Sequence, residues 1–348
     1  MRVLVTGGAG FIGSHVVQEL LAAGHGVRVL DSLDPAVHTD RKPPAEIAGA
    51  ELQLGDVAEA ATVRRALTGM DAVVHQSAKV GLGVSFADAP DYIRNNDLAT
   101  AVLLAEMEAA GIGRLVLASS MVVYGEGAYT GHGGGPVRPG PRSPADLDAG
   151  LFDPRDPDTG EALVPQLLGE DAALDPRNVY AASKLAQENL ASAWARSTGG
   201  SAIALRYHNV YGPRMPRNTP YAGVASLFRS ALARGEAPQV FEDGGQRRSF
   251  VHVQDVARAN LLSLEAARPG FRAYNVGANE VHTVGQVAEA LSRFSAGPAP
   301  VVTGAYRLGD VRHITASSAL IRAELGWEPR WTFDDGMRQF ASAPLRGK

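Results

Sequence analysis

An α/β fold built on a doubly wound parallel sheet is predicted by three observations. The chain opens with a strand, a glycine turn and a helix; its later strands are almost wholly apolar; and helical stretches alternate with them. The first unit is the β-branched run Arg2-Val3-Leu4-Val5-Thr6, then Gly7-Gly8-Ala9-Gly10-Phe11-Ile12-Gly13, then apolar residues at helical spacing through Leu21. Gly7 suits a tight turn, Gly10 lets backbone approach a pyrophosphate, Gly13 lets the helix pack close to the strand, and the helix N-terminus attracts the anion. A bare glycine triplet is weak evidence. Here a second strand, Gly26-Val27-Arg28-Val29-Leu30, ends on Asp31, where a carboxylate holds adenosine ribose hydroxyls about twenty residues after the glycine turn. The unit therefore reads as a Rossmann-type dinucleotide site, with Gly7, Gly10, Phe11, Ile12, Gly13 and Asp31 as its cofactor residues. Asp31 repels a 2′-phosphate and Ser32 and Leu33 supply no arginine, so NAD is expected over NADP. Arg41 and Lys42, farther along a Pro-rich loop, are the residues able to reverse that preference.

Next come the strand 50–54 and the turn Gly55-Asp56-Val57. Two readings stand for Asp56: an acceptor for an adenine amino group, with Val57 beside it, or an Asx turn capping the following helix. Asp71-Ala72-Val73-Val74-His75 is a fourth strand whose lone His75 reads as a packing residue. A helix over 92–111 leads to Arg114-Leu115-Val116-Leu117-Ala118-Ser119-Ser120, a strand ending in two hydroxyls at the edge where such sheets bind ligands. The segment Tyr180-Ala181-Ala182-Ser183-Lys184 is helical by composition, so its phenol and ammonium, four residues apart, leave one face. A tyrosine titrates near pH ~10, and a neighbouring cation lowers that value toward the working range of a general base. A chance surface pair remains the alternative for an isolated YxxxK. Residues 202–206 form another strand. We expect residues 1–208 to form the NAD-binding domain, with 253–276 returning to it, and 209–252 with 277–348 to form a smaller α/β substrate lobe.

Composition narrows the partners. With 348 residues, 45% of them hydrophobic, the chain can bury a full core. A net charge of −4 argues against nucleic acid or an anionic membrane as the partner. The absence of cysteine excludes disulfides, thiol nucleophiles and thiolate metal sites, and no metal is expected. No stretch is apolar for the length of a membrane span, and no signal-like leader precedes the first strand, so a cytoplasmic location is expected.

Four motifs taken together resemble the extended short-chain dehydrogenase/reductase family of nucleotide-sugar epimerases and dehydratases: the glycine turn, Ser119-Ser120-Met121-Val122-Val123-Tyr124-Gly125, Tyr180 to Lys184, and Arg206-Tyr207-His208-Asn209-Val210-Tyr211-Gly212-Pro213-Arg214. The likeness continues through residues 244–257 and 274–277 to Leu325-Gly326-Trp327. Within that family it is nearest to dTDP-L-rhamnose 4-epimerase-like sequences, in 30–35, Pro220-Tyr221-Ala222-Gly223-Val224-Ala225 and Phe241-Glu242-Asp243-Gly244. The resemblance implies Ser120, Tyr180 and Lys184 as catalytic residues. It implies Ser119, Tyr180 and Lys184 at the cofactor, and Ser120, Tyr180, Asn209, Arg248 and Arg307 at a dTDP- or UDP-linked sugar. It also implies a homodimer through the 92–111 helix and the helix carrying Tyr180. Asn209 serving a turn and Arg307 pairing with Asp310 stay open beside those roles, and His252 and Asp255 read as structural.

Two departures matter. The related 4,6-dehydratases carry an Asp-Glu pair just after the catalytic hydroxyl, because eliminating water needs an extra acid and base; this chain has Met121-Val122, which move no proton. The span 126–178 is unusually long and rich in Gly, Pro and Asp, and is expected to be a loop, either a surface excursion or a flap. The expected reaction is therefore NAD-dependent 4-epimerisation of a nucleotide sugar, with a 4-keto-deoxysugar reductase as the second class and a catalytically dead dinucleotide sensor as the third.

Overall fold

The computed structural model describes residues 1–35, 37–38, 41–81, 85–217, 223–278 and 280–346; Pro220-Tyr221-Ala222 of the resemblance lies outside them. The first part alternates as the apolar pattern requires: β1 (Arg2–Thr6), α1 (Phe11–Ala22), β2 (Gly26–Asp31), β3 (Glu51–Leu54), α2 (Ala60–Leu67), β4 (Ala72–His75), α3 (Ala89–Tyr92), α4 (Ala99–Ala109) and β5 (Arg114–Ser120). A wide turn at Ile93–Leu98 joins α3 to α4, so 89–109 is one helical stretch. Then follow β6 (Ala128–Thr130), β7 (Pro136–Val137), α5 (Pro144–Asp148), β8 (Val164–Gln166), α6 (Val179–Thr198), β9 (Ser201–Tyr207) and β10 (Asn209–Tyr211). The remainder comprises α7 (Val224–Ala233), β11 (Gln239–Val240), β12 (Arg247–Arg248), β13 (Phe250–His252), α8 (Val253–Glu265), β14 (Gly270–Val276), β15 (His282–Thr283), α9 (Val284–Phe294), β16 (Val301–Val302), α10 (Ala319–Leu325) and α11 (Phe333–Ser342).

Seven strands, in the order β14-β9-β5-β4-β1-β2-β3, form one parallel sheet. Because successive side chains point to opposite faces, each strand feeds two cores. Val3, Val5, Val29 and Val74 pack with Val16, Val17, Val256 and Ala259 of α1 and α8; Leu4, Leu30, Val73 and Leu115 pack on the other face with Val63, Leu103 and Trp194 of α2, α4 and α6. Chain order reverses between β1 and β4, and the carboxyl ends there border the crevice where such sheets take ligands. A separate core gathers Tyr211, Phe228, Phe250, Val287, Leu291, Met337 and Phe340, so α7, α9 and α11 share an interior apart from the main sheet. Ile321 of α10 and Trp327 pack back into the first core.

The span 126–178 departs from the expected loop. β6 pairs antiparallel with both β7 and β8, and α5 is started by Ser143, which accepts from Asp146 N–H. Phe152, Leu163 and Leu168 are buried, and Leu168 exchanges backbone hydrogen bonds with Thr315 and Ser317. Its Gly, Pro and Asp supply turns between short strands, and the segment is held by partners far along the chain.

One buried interaction locks α6 to the sheet. From β9, Arg206 donates through Nε to Glu188 Oε1 (3.0 Å) and through Nη2 to Oε2 (2.8 Å). Arg206 also donates to the Tyr124 hydroxyl (2.8 Å), which donates to Asn275 Oδ1 (2.7 Å). Removing one member of such a pair leaves the other charge buried and uncompensated. Glu188→Ala should therefore cost about 3–5 kcal/mol in urea unfolding. Glu324→Ala, which breaks the exposed pair with Arg272, should cost about 1 kcal/mol or less. Equal shifts in the two variants would show that the Arg206–Glu188 pair has no such role.

Candidate active site

The dinucleotide cradle follows from backbone proximity. Gly7 sits at φ +66° with Ser77 N only 2.7 Å from where a Cβ would stand, and a Cβ on Gly13 would lie 2.1 Å from Gly7 O. Only glycine permits the turn and the close approach of α1 to β1. Gly10 precedes the first residue of α1, with Phe11 and Ile12 opening the helix, and leaves the first-turn amides facing outward from its N-terminus. Asp31, at the carboxyl end of β2, is buried; its carboxylate accepts from Ala9 N–H (3.0 Å) and Leu33 N–H (2.9 Å), and so ties the glycine turn to the strand beside it. This cradle fits a dinucleotide: a backbone surface without side chains, a helix N-terminus for the pyrophosphate and a carboxylate at the ribose position. Asp56 has both carboxylate oxygens engaged, one by Ala58 N–H (2.8 Å) and one by Arg94 (2.7 Å), which is the turn-capping arrangement; Val57 is buried beside it.

Ser120, Tyr180 and Lys184 come together at the carboxyl end of β5. Asn178 caps α6 by accepting from Ala181 N–H (2.8 Å), which starts the helix two residues before Tyr180 and aims its first turn at β5. Ser120 is buried at the end of its strand and accepts from Val122 N–H. Its hydroxyl lies close enough to that of Tyr180 to favour the phenolate. Tyr180 is partly open to solvent. Lys184 is buried, and its ammonium donates to Ala118 O (2.9 Å), two residues before Ser120.

The electrostatics differ from the expectation. Burial pushes the Tyr180 phenol up to about 12, against the nearby Ser120 hydroxyl, which favours the phenolate, and Lys184 is not among the groups acting on it. The four-residue spacing does put both side chains on one face, but the long lysine stem carries its charge past the phenol to the β5 carbonyl. Burial pushes Lys184 itself down to about 8, with Glu188 and Asp97 pulling back upward. At rest this site holds a protonated phenol near a serine hydroxyl, and a desolvated ammonium on the same helix.

The other expected residues are spread differently. The Ser119 hydroxyl donates to Glu188, so its side chain belongs to the lock on α6. Asn209, on β10, has its carboxamide oxygen buried without a donor among the described residues. Arg248 donates to three backbone carbonyls, those of Arg247 (2.8 Å), Arg312 (2.8 Å) and Val311 (2.7 Å); among the described residues it makes no direct ion pair, while Glu126, Asp310 and Glu242 lie near enough for their charges to act on it. Arg307 is exposed, its guanidinium over the Phe241 ring with Asp310 nearby. His75 is buried between the Thr6 and Thr100 hydroxyls (2.6 and 3.1 Å), a packing role. His252 caps α8 and Asp255 accepts from Arg330 and Trp331 N–H, both structural.

Sequence reasoning passed over Glu188, Glu126 and Arg312. Glu188 stands one helical turn past Lys184, and Arg206 lies in an otherwise apolar strand, so a demand for a buried partner was visible though not its identity. No local signal marks Glu126 or Arg312.

Comparison with known proteins places these features in context. The family described as "NAD dependent epimerase/dehydratase family" matches residues 3–144 and 158–277. A dTDP-L-rhamnose 4-epimerase of Burkholderia thailandensis is 33% identical, over 97% of this chain and 93% of its own length. A UDP-glucose 4-epimerase of Corynebacterium glutamicum is 29% identical, over 95% of this chain and 92% of its own. Among solved structures, the Thermus thermophilus UDP-glucose 4-epimerase complex with NAD superposes with a TM-score of 0.76 at 31% identity, covering 98% of both chains.

The cradle yields one test that does not involve turnover. Asp31→Asn removes the charge while keeping an acceptor for Ala9 N–H, and should weaken NAD binding about tenfold or more while narrowing the preference over NADP. Calorimetric titration with both dinucleotides reads this, and an unchanged NAD-to-NADP ratio would remove Asp31 from the discrimination.

Proposed function

The chain belongs to the NAD dependent epimerase/dehydratase family, and from that premise we propose that this NAD-dependent nucleotide-sugar epimerase inverts C4 of a dTDP-linked 6-deoxyhexose of the rhamnose type. The observation that carries the reading is the pairing of Ser120 with Tyr180 at the end of β5, next to Lys184, with Met121 and Val122 where elimination would need an acid and a base. The likeness to a dTDP-L-rhamnose 4-epimerase supports the sugar, and the similar UDP-glucose 4-epimerases make UDP-sugars the runner-up.

Gly7, Gly10, Gly13, Asp31 and Lys184 would hold NAD. When bound, it would supply the acceptor and donor for the C4 hydride and the positive charge of an oxidised ring. Tyr180 removes the proton of the C4 hydroxyl in the first stroke and gives it back in the second. A phenol held near 12 is well furnished with its proton for that return, and its ionisation in the first stroke leans on the nearby Ser120 hydroxyl and on cationic charge gathered around it. Ser120 donates to the same sugar oxygen. Lys184, locked against Ala118, holds its ammonium beside the reacting face. Inversion requires the 4-keto sugar to turn over while its diphosphate stays anchored. Arg248, with its fork steadied by three carbonyls, suits that anchor, as does Asn209 through the N–H groups of its carboxamide; Arg307 is the third candidate at the exposed rim.

Tyr180→Phe should leave the fold and NAD content intact and lower kcat by about 10²-fold or more, the range for loss of a positioned acid–base group, with Ser120→Ala costing less. Near-normal kcat in the phenylalanine variant would take Tyr180 out of the mechanism.

The reaction is tested by incubating the enzyme, without added cofactor, with a panel of dTDP- and UDP-sugars in deuterated water. Inversion at C4 of the dTDP-6-deoxyhexose with no deuterium in the product is expected, because the C4 hydrogen leaves and returns within one molecule. Deuterium at C3 or C5 would mean epimerisation through an enol, and product formed only with stoichiometric NADH or NADPH consumption would make the protein a reductase.

A further inference from the structure

We propose that the 126–178 insertion is a positioning device for the diphosphate anchor, and that Glu126 sets the orientation of the Arg248 guanidinium through the backbone of residues 310–313. The inference rests on the reading of Arg248 as that anchor and assigns its control to residues outside the substrate cleft.

The arrangement has three layers. Innermost is Arg248, whose Nη2 donates to Val311 O and whose Nη1 donates to Arg312 O and Arg247 O. Two of those three acceptors therefore belong to the 310–313 segment, and wherever that segment sits, the fork points. Outermost is the insertion. Glu126 is buried, and its carboxylate accepts from Arg312 N–H (3.4 Å) and His313 N–H (3.2 Å), the amides adjoining those two carbonyls. Tyr129 donates to the same carboxylate (2.8 Å) and keeps it aimed. The approach is close: a Cβ on Gly127 would stand 2.2 Å from His313 O.

Two further residues of the insertion grip the same segment. Asp153 accepts from Arg312 Nε (2.7 Å) and lies 3.1 Å from His313 Nε2, while Arg142 donates to Asp310 O (2.7 Å) and pairs with Glu242 (2.9 Å). Arg312 completes the cluster by donating to Glu242 (2.7 Å) and Asp243 (2.8 and 3.0 Å). Asp310, Arg312 and His313 are thus held on one side by the insertion or by this cluster, while Val311 and Arg312 present carbonyls to Arg248 on the other. Covering the cleft alone would not require this: a cover needs apolar contact, whereas buried charges aimed at backbone amides fix a position. Glu126 also follows the Met121–Tyr124 turn after Ser120, so the chain that carries the catalytic hydroxyl leads directly into the element that aligns the anchor.

The test is a double-mutant cycle on the full-length protein with free dTDP and free UDP as probes, read by calorimetry alongside steady-state kinetics. Glu126→Gln keeps size and removes charge; it should weaken nucleoside diphosphate binding about tenfold and raise KM to match, with kcat and NAD affinity nearly unchanged. Arg248→Ala should weaken the same binding at least as much, and the double variant should be no worse than Arg248→Ala alone, because both act through one guanidinium. Asp153→Asn reaches the segment by a different route and should show the same coupling, so it decides the matter if Glu126→Gln does not fold. Additive losses, or unchanged dTDP and UDP affinity in a folded Glu126 variant, would overturn the inference while leaving Arg248 as the anchor. Unchanged affinity in Arg248→Ala would instead overturn the reading of the anchor itself.

Discussion

The buried pair between Arg206 and Glu188 is the constraint on which the rest of the site depends. A parallel sheet places β5 and β9 side by side through backbone hydrogen bonds, but nothing in that ladder determines how far α6 slides along the sheet. The bidentate contact does, because a planar guanidinium and a carboxylate tolerate little misalignment. Ser119 is drawn into the same lock from β5, and Tyr124 and Asn275 extend it to β14. With α6 held in register, Lys184 reaches Ala118 and Tyr180 meets Ser120. The cost of burying these charges secures a geometry that apolar packing, which is non-directional, would leave loose.

Much of this was legible in the sequence wherever the cause was local. The glycine turn declares itself because only glycine fits the approach between Gly13 and Gly7, and the alternation of apolar strands with helices dictates a covered parallel sheet. Tyr180 and Lys184 announce one helical face by spacing alone. Legibility ended where partners are distant. Period-two alternation states that Ser119 and Ser120 point to opposite faces of β5, but not that one face holds a glutamate. The depressed Lys184 and the raised Tyr180 come from burial, which no four-residue motif encodes. The insertion misled for a related reason: its composition is that of a loop, and its attachment to the rest of the molecule is supplied by residues such as Arg312 and Thr315, more than a hundred positions away.

A single fold thus divides its labour by the kind of force used. The dinucleotide cradle is backbone geometry, relying on missing side chains and a helix end. The proposed reacting centre is a set of hydroxyls and an ammonium, tuned by burial. The proposed diphosphate anchor is a guanidinium steered by carbonyl dipoles. The three rest on different kinds of contact, which suits a scaffold on which relatives handle different sugars.

The sequence separations in the insertion carry a consequence for biosynthesis. Glu126 meets His313 across 187 residues, and Asp153 meets Arg312 across 159. During synthesis the early strands can pair and collapse as they emerge, and β6 can pair with β7 and β8, but Glu126 and Asp153 lack Arg312 and His313 until nearly the whole chain has been made. Those contacts must wait, and the segment's wealth of Gly, Pro and Asp keeps it soluble and reluctant to form stray β-pairings meanwhile. The composition that disguises it as a loop is thereby the composition that lets it be the last piece to lock.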